Sequence, residues 1–384
     1  MKVLLIGEKY TEVIESFREE GYQVNHIEDS NILKPAEIEK QITTVLGKEP
    51  ALVFTFDFFP AVARACHNNG YHYISWVWDC PHFSLWSKAA RYESNTILLF
   101  DKMQYEMQKQ RGLQNVYHFL LGSDVTTFEK TIEEGKNVSP KYAADVSFVG
   151  SLYSTSKDVM LDSVSYLPEN IKGYIDGLVA AQYDLWGVDV IEETVTEEDL
   201  LQLKKYMQFD FGTDYEVSVQ DAFIKQLIKR KVSRQERIQM CEALSKQFSF
   251  KLYTGSPLPD SLKKCACGKI DYLKELPLVY HNSKINIHST IHDIPSGISQ
   301  RVFDVLACGG FLLTNYQPEI AEYFEDGAEL VMYSSIEDLC EKTAYYLAHE
   351  EERRAIAEAG CEKVKKLYSY KTQVKKIIKT YCER

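Results

Sequence analysis

The 384-residue chain has no apolar run approaching the roughly 18 residues of a membrane-spanning helix, and the apolar stretch 3–6 is too short for a secretory leader. The expectation is a cytoplasmic protein with no integral membrane segment. Positive charge is scarce too: 44 Lys plus Arg stand against 56 Asp plus Glu, a formal charge of −12. A general nucleic-acid binder neutralises phosphates with a net basic face, so that class drops out while a local basic pocket does not. The 9 cysteines include one close pair, Cys265 and Cys267, which supports neither a disulfide framework nor a zinc cluster. No H-E-x-x-H, G-x-S-x-G or P-loop occurs. The first strand-like segment leads into Gly7-Glu8-Lys9-Tyr10 rather than G-x-G-x-x-G, which counts against a dinucleotide held in the usual Rossmann manner.

What is present is a long alternation of two patterns. Segments 3–7, 22–27, 51–56, 72–77, 96–100 and 116–121 are short apolar runs, with helical patterns such as 11–20 and 61–69 between several of them. That alternation predicts an α/β fold, a parallel sheet with helices on both faces. It lapses in a polar stretch around Pro140, where we place the boundary between a first domain, 1–143, and a second, 144–368. The second opens with a strand at 146–150 and resumes with 250–254, 285–288, 311–314 and 330–333. Between about 158 and 247 helical periodicity replaces the strand pattern and predicts a helical insertion. Within it Lys225, Lys229, Arg230, Lys231, Arg234 and Arg237 form a basic run, read as a solvated helix face. Ser334-Ser335 caps a further helix, and two more follow, broken near Gly360 or Tyr368; the last segment, 369–384, could pack back on the first domain.

In open parallel sheets ligands bind beyond the carboxyl ends of the strands. There the chain puts Asp57-Phe58-Phe59-Pro60 and Trp78-Asp79-Cys80-Pro81-His82. Acids beside aromatic rings suit a sugar, whose hydroxyls need acceptors and whose C–H face packs on rings. Asp79 could equally be a turn or cap residue, and for Asp57 that is the better reading. The most informative stretch, 288–310, reads as strand end, loop, helix and glycine stop. With a helix starting near Ser296, the residues Gly297, Arg301, Asp304 and Cys308 share one stripe, while Ile298, Val302, Val305 and Leu306 line another. A diphosphate could lie on Ser296, Gly297 and the helix N–H groups, with Arg301 one turn along and Asp304 accepting from ribose hydroxyls. The alternative is an ordinary Arg301–Asp304 pair on a solvated helix. Gln317 and Glu319 follow the next strand at a helix start, and Gly150 and Ser151 follow the strand 146–150, where glycine lets backbone approach a phosphate. D-x-D, the carboxylate pair with which many sugar transferases hold a nucleotide diphosphate through a divalent ion, does not occur, so no metal or other cofactor is expected.

A family resemblance rests on particular residues. It runs from Ser283-Lys284-Ile285-Asn286 through Gln300-Arg301-Val302-Phe303-Asp304-Val305-Leu306-Ala307-Cys308-Gly309-Gly310 to Tyr316-Gln317-Pro318-Glu319. It continues in Tyr345-Tyr346-Leu347-Ala348-His349 and Ala355-Ile356-Ala357-Glu358-Ala359-Gly360. These stretches resemble the glycosyl-transferase domain of spore-maturation CgeB-like proteins. Tyr73-Ile74-Ser75-Trp76-Val77-Trp78-Asp79-Cys80-Pro81, Phe100-Asp101-Lys102 and Asn115-Val116-Tyr117-His118 are similar to the N-terminal domain of unknown function that accompanies it.

The resemblance implies a GT-B fold: two Rossmann-like domains facing a cleft, nucleotide sugar held mainly by the second and acceptor by the first. In the retaining GT-B group the matching helix carries two glutamates separated by seven residues. Alignment on Ala307-Cys308-Gly309 puts Asp304 at the second and Ser296 at the first, and a serine cannot play a carboxylate's part. The reading that follows is a metal-independent glycosyltransferase that moves a sugar from a nucleotide diphosphate sugar, a UDP-sugar foremost, to an unknown acceptor: a protein, glycan or small molecule. Arg301 would stabilise the departing diphosphate, and Gln317 or Glu319 would hold sugar or nucleotide hydroxyls. If the reaction inverts, Asp79 would deprotonate the acceptor, with His82 second. A nucleotide-sugar epimerase of the same fold and a non-catalytic coat or scaffold protein are the alternatives.

Overall fold

The structure is a computed structural model that describes residues 1–7, 10–28, 34–155, 157, 167–183, 185–207 and 209–382. Glu8 and Lys9, in the loop after the first strand, lie outside them. The chain divides into two compact units. One comprises Met1–Asp124, Asp210–Gln220 and Leu367–Arg384; the other comprises Val125–Phe209 and Asp221–Lys366.

The first unit alternates β1 (Lys2–Ile6), α1 (Thr11–Glu19), β2 (Gln23–Ile27), α2 (Pro35–Leu46), β3 (Ala51–Phe56), α3 (Pro60–Asn69), β4 (His72–Val77), β5 (Asn95–Leu99), α4 (Lys102–Gln110) and β6 (Val116–His118). These strands form one sheet in the order β2-β1-β3-β4-β5-β6, all pairs parallel. Each falls on a predicted apolar run, and in the four inner strands the reason is burial on both faces: Leu4, Val53, Ile74 and Leu98 have no exposed surface, so alternation with polar residues is not needed. The last helix, Tyr370–Ile377, belongs to this unit, where Tyr370 packs among Tyr10, Phe56, Trp76 and Trp78. The stretch Asp210–Gln220 is held here by Glu216, whose carboxylate meets Arg91 at 2.7 Å and Arg111 at 2.6 Å. Burial alone would raise that carboxyl, but the two guanidiniums outweigh it and hold it below its ordinary value.

The second unit contains α5 (Val125–Glu134), β7 (Ala144–Val149), the insertion helices α6 (Glu169–Gln182), α7 (Val190–Thr194), α8 (Glu197–Lys204) and α9 (Val219–Gln247), then β8 (Phe250–Tyr253). It continues with α10 (Leu276–Asn282), β9 (Ser283–His288), α11 (Gln300–Ala307), β10 (Leu312–Asn315), α12 (Pro318–Tyr323), β11 (Val331–Tyr333), α13 (Ile336–Ala348) and α14 (Glu350–Leu367). Its strands run in the order β11-β10-β9-β7-β8, again parallel throughout. The predicted insertion is helical and has a core of its own, in which Ile175, Ile191, Leu203, Ile224 and Ile228 are buried. Ser335 caps α13 by accepting from the Asp338 N–H. Gly360 does not break a helix: it sits inside α14, where a Cβ would meet the Glu329 carbonyl, and the break comes after Leu367.

The basic run on α9 is not a solvated face. Lys229 is buried against Asp189, and although burial would lower its pKa, the Asp189 and Glu192 carboxylates outweigh that and raise it. Lys225 pairs with Glu192 at 2.8 Å and Lys231 with Asp176 at 2.6 Å, while Arg237 is buried at the sheet. The helix packs on the insertion with Ile224, Ile228 and Val232 and on the sheet with Met240, Cys241 and Leu244. A helix covered on changing sides along its length shows no single apolar stripe, which is why periodicity misassigned its charges.

Candidate functional site

The order of the second sheet reverses between β7 and β9, because the chain goes from β7 to β8 on one side and from β9 to β10 on the other. Loops leaving two such strands open a crevice, the usual ligand position in open parallel sheets. Here they are 150–153 and 289–299.

The loop after β9 is longer than the spacing suggested. The helix begins at Gln300 with Ser299 at its N-cap, not near Ser296. Ser296 is instead tied to the next loop: its hydroxyl donates to Glu319 Oε1 at 2.7 Å and its carbonyl accepts from the Glu319 N–H at 3.1 Å. Ser296 and Glu319 are both buried, and so is Gly297 beside them. Gln317, also buried, donates to the Ile294 carbonyl at 3.1 Å, so the loops after β9 and β10 are stitched together twice.

Across the first turn of α11, Arg301 and Asp304 meet at 3.2 Å. They are not a solvated surface pair, since Asp304 has no exposed surface and the Arg301 side chain retains 35%. Asp304 also accepts from the Tyr272 hydroxyl, 3.1 Å from both carboxylate oxygens, and from Gln300 Nε2 at 2.9 Å. The Arg301 guanidinium lies 5.0 Å from the Tyr272 ring centroid. Burial would lower the arginine's pKa, but Tyr280, Asp304 and Tyr272 outweigh it and raise it, so Arg301 stays charged. The carboxylate is turned inward, and the guanidinium is the part of the pair that keeps exposed surface.

Across the crevice, the Gly150 N–H donates to the Tyr253 carbonyl at 3.1 Å and is spent there. A Cβ on Gly150 would lie 3.1 Å from the Phe148 ring and 3.5 Å from Arg237 Nη1, so the missing side chain makes room for protein rather than a phosphate. The Ser151 hydroxyl accepts from the Tyr153 N–H at 3.0 Å and lies 3.1 Å from Ser256 Oγ, an arrangement that shapes the loop.

In the first unit the order reverses between β1 and β3. After β3, Asp57 takes a left-handed conformation, φ 58°, and its Oδ1 accepts from the Trp78 N–H at 2.8 Å and the Asp79 N–H at 3.1 Å. Short polar side chains tolerate that backbone region because they can bond locally. His82 Nε2 lies 2.8 Å from the Phe58 carbonyl and 3.1 Å from the Phe58 N–H, so the backbone of Phe58 meets either tautomer, and Nδ1 stands 4.0 Å from Asp57 Oδ1. Asp57, Asp79 and His82 thus bring three ligand atoms within 4.8 Å of one another. Such a set could take a proton from a hydroxyl or hold a divalent cation.

The structure therefore groups Ser296, Gln317 and Glu319, pairs Arg301 with Asp304, and sets Asp79 beside His82. Asp57 joins the last group although its sequence context favoured a turn or cap residue. Tyr272 had no signal at all, lying in an irregular stretch. Arg230 and Arg237 stood seven residues apart on one helix, a spacing that puts them on the same face and could have marked them.

Residues 234–379 match a family model described as glycosyl transferase-like. No curated protein sequence matches the chain. Among solved structures, HepE of Anabaena in complex with UDP-glucose aligns with a TM-score of 0.54 at 10% identity, and the same protein with UDP and glucose at 0.53 and 10%, covering 100% of both chains. Sucrose-phosphate synthase of Thermosynechococcus elongatus aligns at 0.51 and 9% identity, over 100% of this chain and 98% of that one. The fold is GT-B. Among the described residues no helix is long and apolar enough to cross a membrane.

Proposed function

We propose that this GT-B protein is a cytoplasmic glycosyltransferase that moves a sugar from a nucleotide diphosphate sugar, a UDP-sugar foremost, to an acceptor hydroxyl without a resident metal. One observation carries the reading: at the reversal of the second sheet, Arg301 presents a fixed positive charge, oriented by a fully buried Asp304. Transfer from a nucleotide sugar develops negative charge on the departing diphosphate, and a preorganised guanidinium meets that demand at no cost in reorganisation. The glycosyl transferase-like match over 234–379 contains this helix, and HepE, which shares the fold, was crystallised with UDP-glucose. The CgeB-like resemblance supports the same assignment.

In this reading Ser296, Gly297, Gln317 and Glu319 form the floor on which nucleotide and sugar hydroxyls rest. Asp304 acts on ribose only through Arg301, since its own oxygens are occupied. Asp79 and His82 are the candidate bases on the acceptor side. The test is a panel of nucleotide sugars followed by thermal shift and by slow donor hydrolysis. Binding and hydrolysis of at least one donor, both lost in Arg301→Ala, are expected. Conversion of a donor to its epimer without acceptor would make the protein an epimerase, and the absence of any binding would make it a scaffold.

A further inference from the structure

The donor reading leaves a shortfall of charge. A nucleoside diphosphate sugar carries about two negative charges on its phosphates, and Arg301 already shares its charge with Asp304. The insertion supplies more. Arg230 and Arg237 project from the same face of α9 toward the crevice between β7 and β9, and the ring of Tyr153, left-handed at φ 51°, lies between them, 5.3 Å from one guanidinium and 5.1 Å from the other.

The two arginines are held differently. Arg237 is buried; it donates to the Ser151 carbonyl at 2.7 Å and to the Ser289 carbonyl, so it bolts the loop after β7 to the loop after β9. Its partners there are neutral, and its charge still reaches the crevice: with Arg301, it adds to the burial that keeps His288 uncharged. Arg230 is the more accessible, with 31% of its side chain exposed, and its Nε stands 3.6 Å from Asp293 Oδ2. Asp293 has Lys229 as a further cationic neighbour, so Arg230 can turn toward another anion without leaving that carboxyl stranded.

We propose that Arg230, delivered by the helical insertion, is the second cation that grips the donor's diphosphate, with Arg237 as the residue that positions the loops around it. The assignment rests on the donor reading above and gives the insertion a part in donor binding. Calorimetric titration tests it with wild type, Arg230→Gln and Arg230→Lys, against UDP, GDP, ADP, CDP and dTDP and the matching nucleosides, with melting curves to confirm folding. For the diphosphate that wild type binds, Arg230→Gln is expected to weaken binding at least tenfold and Arg230→Lys less, while the nucleoside binds equally to all three proteins. An Arg230→Gln affinity within twofold of wild type, or an equal loss for nucleoside and diphosphate, overturns the assignment. A wild type that binds none of the diphosphates overturns the donor reading itself, and the assignment with it.

Discussion

The hydroxyl of Ser296 donates to Glu319 Oε1 at 2.7 Å, so the serine that stands where the resemblance implies a glutamate is in contact with a carboxylate from the following loop. Chemistry absent from one position in the sequence is present in space, carried by the first turn of the helix that follows the adjacent strand. Ser296→Ala leaves that buried carboxylate short of a donor and is expected to cost about 1.5–3 kcal/mol of stability. Glu319→Gln is expected to lower turnover more than donor affinity if the carboxylate meets the sugar in the transition state. Steady-state kinetics and urea unfolding of both variants check this, and an unchanged kcat in Glu319→Gln would leave the carboxylate a purely structural role.

The buried Asp304 makes a second expectation. Tyr272→Phe removes one neutral donor from the carboxylate and is expected to cost about 1 kcal/mol, with a few-fold loss of donor affinity through the loosened Arg301. Arg301→Ala removes the charge itself, and a loss of roughly 10²- to 10³-fold in kcat is the scale set by other preorganised donors. Kinetics of the two variants separate positioning from charge: comparable losses in both would contradict the division of labour.

Much of this architecture was legible because parallel strands buried on both faces are continuous apolar runs, as at 51–56 and 72–77, and those runs end where the structure's strands end. The loops were less legible. Ser296 was read into a helix because Gly297, Arg301 and Asp304 fit helical spacing, but spacing cannot show that Glu319 holds Ser296 by both its carbonyl and its hydroxyl. Asp304 looked like a ribose acceptor because sequence shows a carboxylate without showing that Tyr272, 32 residues away, occupies it. The charges of α9 misled for the opposite reason, since Lys229 and Arg237 are buried by elements far apart in the chain.

The acceptor-side cluster yields a prediction about metals. Asp57, Asp79 and His82 offer ligand atoms within 4.8 Å, yet the proposed reaction needs Asp79 or His82 as its base. Turnover is expected to survive exhaustive treatment with EDTA, while Asp79→Asn lowers kcat by about 10²- to 10⁴-fold, the range for loss of a general base. His82→Gln is expected to lower kcat less than Asp79→Asn does. Loss of activity on chelation, restored by Mn²⁺ or Mg²⁺ and abolished in Asp57→Asn, would instead make the cluster a metal site.

The stability of the second unit should carry a pH signature from Asp293. Burial raises this carboxyl from 3.8 to about 6, with Arg230, Lys229 and His292 pulling the other way. A group whose folded pKa lies above its unfolded one binds a proton more readily in the folded state, so its contribution to stability is complete below the unfolded value and disappears as the pH rises through about 6. Asp293→Asn keeps the shape and removes the titration. The stability of wild type relative to this variant is therefore expected to fall between pH 4 and pH 7, read as the difference in urea midpoints at constant m. A difference that stays flat would show that the carboxyl titrates alike in both states, and one that rises with pH would show that the neighbouring cations, not burial, govern the site.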